Sequence, residues 1–78
     1  MYKLDVIIDG TFAAELEAEN VNTLLDEIEE FHKDFRRPEN IDTISEAEFL
    51  IYEDTELYTA FLLKFNSVTG MYEMRTRQ

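Results

Sequence analysis

The chain has no cysteine and no tryptophan, one proline, one histidine and two glycines. Without cysteine, neither a disulfide framework nor a thiolate zinc site can brace it, and a reducing compartment suits it. With His32 as the lone imidazole, no histidine-based zinc set exists. Gly10 and Gly70 both sit in turn contexts, which leaves no glycine for a phosphate-cradling loop. No apolar run approaches the ~20 residues needed to cross a bilayer. The segment Met1-Tyr2-Lys3-Leu4-Asp5 has no signal-peptide shape. Basic residues are scarce as well: 7 Lys and Arg stand against 18 Asp and Glu, a net charge of −11 in 78 residues. Such a chain repels phosphate and anionic lipid, so direct nucleic-acid or membrane binding is disfavoured. A soluble, cytoplasmic protein is expected.

What is present argues against disorder. Hydrophobic residues make up 45 % of the chain, whereas acidic disordered tails lack that content. The expectation is a single domain over residues 1–78, with a core that is marginal for its size.

Tyr2, Leu4, Val6 and Ile8 alternate with more polar neighbours and predict a strand; Phe12, Ala14, Leu16 and Ala18 predict a second. A two-residue Asp9-Gly10 turn would put Phe12 and Leu16 on the wrong face. A three-residue loop, Ile8-Asp9-Gly10, restores the parity and sets Val6 against Phe12, Leu4 against Ala14 and Tyr2 against Leu16. On the outer face Lys3 then meets Glu15.

Val21, Leu24, Leu25, Ile28, Phe31 and Phe35 follow helical spacing. Asn20 is the expected N-cap, with Asn22 as competitor, and Arg36, Arg37 and Pro38 end a helix at about residue 36. Residues 37–43 read as a link. Ser45-Glu46-Ala47-Glu48 resembles a capping box, but Asp54 and Thr55 break any helical stripe there. Three strands, about 44–53, 57–65 and 71–76, fit better.

With Ser67–Gly70 as a loop, Phe65 opposes Tyr72, Leu63 opposes Met74 and Lys64 opposes Glu73. With Asp54-Thr55 as a turn, Tyr52 opposes Leu57 and Leu50 opposes Thr59. The helix-facing side of this meander would then hold Leu50, Tyr52, Leu57, Phe61, Leu63, Phe65, Tyr72 and Met74. The fold class expected is α+β: a two-layer β-β-α-β-β-β chain with one antiparallel five-stranded sheet, order 2-1-3-4-5, packed on one helix.

Two surfaces are candidates for function. The first is acidic: Asp26, Glu27, Glu29, Glu30 and Asp34 on the outer helix face, with Glu15 and Glu17 (and Glu19) extending the field from the second strand. The helical five span about 12 Å, and duplex DNA of that length carries about seven phosphates. Such a surface could imitate nucleic acid or grip a basic protein, or serve only as a solvated helix face. The second is the uncovered side of the sheet, expected to expose Phe49, Ile51, Tyr58 and Leu62 beside Met71. A contiguous apolar patch marks a partner or dimer interface. The first hairpin's share of that side is polar apart from Ile7.

Asp26, Glu29 and Glu30 make no EF-hand-like ligand set, so neither metal nor cofactor is expected. No nucleophile stands beside a base, and chance carboxylate pairs are unavoidable with this many acids, so the chain reads as a non-enzyme. Small size, strong acidity, absence of cysteine and the α+β plan resemble the small inhibitors encoded by bacteriophages, anti-CRISPR proteins and antirestriction DNA mimics. The likeness covers the whole chain as composition and plan and transfers no functional residue. It implies a host nucleic-acid-binding protein as target, met in the host cytoplasm. The apolar sheet face departs from a pure phosphate mimic and suggests acids that steer with aromatics that anchor. The alternative is a homodimeric accessory module whose acidity serves solubility.

Overall fold

The computed structural model describes residues 1–35 and 45–76. The expectations for Arg36, Arg37, Pro38 and the 37–43 link, and for the side chain of Phe35, fall outside what it describes. The elements are β1 (Tyr2–Ile8), β2 (Thr11–Ala18), α1 (Val21–Phe35), β3 (Glu46–Glu53), β4 (Glu56–Asn66) and β5 (Met71–Thr76). The five strands form one sheet of order β2-β1-β3-β4-β5, every neighbouring pair antiparallel. One helix packs on one side of it. This is the α+β plan expected from the sequence.

The helix starts where capping chemistry allows. The Asn20 side-chain oxygen accepts the Asn22 amide at 2.8 Å, satisfying one of the unpaired amides of the first turn. Leu24 and Ile28 are buried, and Val21, Leu25 and Phe31 pack around them. Beneath lie Leu4 and Val6 of β1, Ala47, Phe49 and Ile51 of β3, Leu63 of β4 and Tyr72 of β5.

The first hairpin differs from the expected register. Asp9 (φ 50°) and Gly10 (φ 82°) form a two-residue turn with both residues left-handed, so Ile8 faces Thr11. Asp-Gly suits the type I′ geometry whose twist matches the strands. The parity conflict is resolved one step later. Ala13 is an extra, bulged residue between the pairs Ile7–Phe12 and Val6–Ala14. Leu4 therefore faces Leu16, Tyr2 faces Ala18, Lys3 faces Glu17 and Asp5 faces Glu15. Phe12 sits beside Ile7 on the open side and is 59 % exposed.

The turn is anchored from β3. The Asp9 carboxylate accepts the amides of Ser45 and Glu46, both at 2.9 Å, while the Asp9 amide donates to the Glu46 carbonyl at 2.9 Å. These bonds hold the β1–β2 tip to the strand that crosses it.

A second bulge inverts a larger expectation. Tyr52 does face Leu57, but Ile51 faces Thr59 and Leu50 faces Ala60, so Tyr58 is the extra residue. Pairing with β1 places Phe49 against Val6 and Ile51 against Leu4. Both are fully buried under the helix, so the expectation that they lie exposed on the uncovered side is overturned. Leu50, Tyr52 and Leu57, expected beneath the helix, belong to the open side instead. The physical reason lies within β3: Glu46 and Glu48 share the parity of Leu50 and Tyr52, and burying two glutamates costs more than exposing one leucine and one tyrosine. The last hairpin follows the expected register throughout, with Phe65–Tyr72, Lys64–Glu73 and Leu63–Met74 paired around Ser67–Gly70.

Candidate functional site

Asp26, Glu27, Glu29, Glu30 and Asp34 are all exposed on α1. Their placement follows from the helical period, because the apolar stripe turns its back on them. They form two rows. Glu27, Glu30 and Asp34 run along the outermost line; Asp26 and Glu29, with Lys33 after them, flank the junction of helix and sheet. Lys33 is the one cation among the described helix residues, and its ammonium lies 3.4 Å from Glu30. Five carboxylates and one ammonium leave a strongly negative ridge on a rigid element.

Glu15 and Glu17 do not join this ridge. They pair with Asp5 and Lys3, on the side of the sheet opposite the helix. The seven candidate acids thus divide between two faces of the molecule. On the open side the charges are met in part by counterions. Lys3 lies 3.9 Å from Asp5 and 5.4 Å from the centre of the Tyr52 ring. Lys64 stands between Glu46 and Glu73 in register. Arg75 reaches Glu73 at 3.3 Å, and the Asn66 amide donates to Glu73 at 2.9 Å. Both faces thus stay net negative, and the helix ridge gathers five of the acids on one rigid element.

The open side keeps an apolar stripe of different membership from the one expected. Leu62 is there, facing Glu48, with Ile7, Leu50, Tyr52, Leu57 and Met71. Leu57 is 51 % exposed and Met71 56 %. Tyr58, 47 % exposed, packs edge-on against Tyr2 at 5.5 Å at one end of the sheet. Burial, then the Glu53 carboxylate, the Tyr58 phenol and the Asp54 carboxylate push the Tyr2 phenol above its ordinary value.

One feature escaped the sequence. A cleft of about 390 Å³ runs between α1 and strands β4 and β5, lined by Leu25, Asp26, Ile28, Glu29, His32, Phe61 and Met74. His32 lines it at the core's edge. Its Nε2 is buried and has no hydrogen-bond partner among the described residues. Glu29 and His32 lie one helical turn apart, which was visible in the sequence; the strands that complete the cleft were not.

Among the described residues no three His, Asp or Glu side chains are grouped to hold a metal ion, and no helix is long and apolar enough to cross a membrane. Comparison with protein-family models, with curated proteins and with solved structures finds no match to this chain.

Proposed function

We propose that the protein is a non-enzymatic interaction module that binds a basic, nucleic-acid-binding partner and blocks its groove. The observation that supports this is the helix ridge: Asp26, Glu27, Glu29, Glu30 and Asp34 exposed on one rigid element, where Lys33 is the one cation among the described helix residues. Held on a packed helix, these carboxylates are ordered before contact, so little conformational entropy is lost on binding. Their field steers a cationic groove towards the ridge and fades beyond about 10 Å at 0.1 M salt. Inhibition is steric and competitive with nucleic acid. The targets that fit the size and acidity of the chain are the nucleases and CRISPR complexes of bacterial defence. The carboxylates of Glu15 and Glu17, on the other face, contribute only through the long-range field.

The test is capture on the immobilised protein from nuclease-treated bacterial lysate. Retained nucleic-acid-binding proteins should be released by duplex DNA or by salt. The double variant Glu27→Lys with Glu30→Lys should lose them while folding normally. Retention that DNA fails to displace, or that the double variant preserves, would overturn the proposal.

A second reading has its own observation. Ile7, Leu50, Tyr52, Leu57, Leu62 and Met71 form an apolar stripe on the open side of the sheet, which suits a homodimer seam. Light scattering on the eluted peak distinguishes the two. A dimer dissociated by Leu62→Lys supports the seam, and a monomer at every concentration removes it.

A further inference from the structure

We infer that the cleft between α1 and strands β4 and β5 receives an arginine side chain of the partner, an inference that rests on the basic-partner reading above. The cleft, about 390 Å³, has a floor of Ile28, Phe61 and Met74 and a rim of Asp26 and Glu29, with His32 lining it. Phe61 and Met74 are only partly buried, so the floor is open to an incoming group. Each wall matches one part of arginine. The three-carbon stem lies against Met74, whose thioether adapts to irregular shapes. The flat guanidinium stacks on the Phe61 ring. Its N–H groups reach the Asp26 and Glu29 carboxylates, where charge-assisted bonds are strongest.

His32 closes the inner side of the cleft, where its Nε2 is buried without a partner among the described residues. A lysine ammonium is a compact point charge that cannot stack and bond on several sides in this way. Lys33, the nearest described cation of the helix, does not fill the place, because its ammonium turns to Glu30 at 3.4 Å.

The experiment is an NMR titration of the full chain with N-acetyl-arginine amide, against N-acetyl-citrulline amide as its neutral isostere. The expected result is a saturable shift at the Met74 methyl and the Phe61 and His32 rings with arginine, and none with citrulline. Asp26→Asn with Glu29→Gln should weaken that binding roughly tenfold, the order expected when charge-assisted hydrogen bonds are lost. Both positions are exposed, and an unchanged urea midpoint verifies the fold. Shifts that never saturate, that spread evenly along Glu27, Glu30 and Asp34, that citrulline reproduces, or that survive the double variant would overturn the inference. The capture experiment fails independently. If DNA displaces nothing while arginine still saturates the cleft, the cleft stands and the blocking function falls.

Discussion

Truncation of Phe49 is the sharpest check on which face of β3 meets the helix. The side chain is fully buried, lies opposite Val6 and Phe61, and its ring sits 5.8 Å from that of Phe31. Phe49→Ala removes a ring that neighbours on three sides cannot easily replace, at a cost of about 3–5 kcal/mol. A domain of this length holds about 4–12 kcal/mol in all, so the variant is left marginal. Each kcal/mol moves the midpoint by about 4–8 °C in a domain this small, so melting should fall by more than about 12 °C. Leu50 is the internal control. It is next in the strand, on the opposite face and only partly buried, so Leu50→Ala should cost about 1 kcal/mol. Far-UV circular dichroism during urea unfolding reads both, since the chain offers no tryptophan fluorescence. Should Leu50→Ala prove the more damaging of the two, β3 would be turned over and the assignment of the core with it.

Three further outcomes follow from named contacts. Asn20→Ala should lower stability by about 1 kcal/mol, and Asn20→Asp by much less, because aspartate caps equally well; urea midpoints decide it. Asp9→Ala removes the acceptor of the Ser45 and Glu46 amides and should cost about 1–3 kcal/mol. Asp9→Asn keeps an acceptor and a residue tolerant of positive φ, and should recover most of that loss. The Tyr2 phenol should ionise later than an ordinary tyrosine. A raised value in the folded chain means the native state holds that proton more tightly, so its contribution is intact below about pH 10 and lost as pH climbs through the raised value. The late-titrating phenolate absorbance of the native protein should shrink in Tyr2→Phe; an unchanged late component would contradict it.

Element order, helix, N-cap, strand order and the last hairpin's register were all legible in the sequence. In each case the signal was local: a 3.6-residue stripe, a turn with glycine, or aromatic pairs across a loop. The two bulges were not legible. A parity argument assumes period two along the whole strand, and one extra residue at Ala13 or Tyr58 reverses everything beyond it. The sequence offered a correction in β3, where Glu46 and Glu48 share parity with Leu50 and Tyr52, but the apolar half of the strand masked it. For the same reason the open-face residues changed from Phe49 and Ile51 to Leu50, Tyr52 and Leu57. The helix acids needed only the helical period and came out as expected. Glu15 and Glu17 share the parity of Lys3 and Asp5, opposite Leu4 and Val6, so their place on the side away from the helix was legible from alternation alone.

The strand order has a consequence for how the chain reaches this state. β1 with β2, and β3 with β4 and β5, are neighbours in the chain and can zip locally within microseconds. Among the strand pairs, only the seam between β1 and β3 joins distant parts: Val6 meets Phe49 although the helix lies between them in the chain. Within the sheet, loop-closure entropy is concentrated on that single line. Folding is thus a search in which two preformed ribbons find one shared border, and the residues along that border set the tempo.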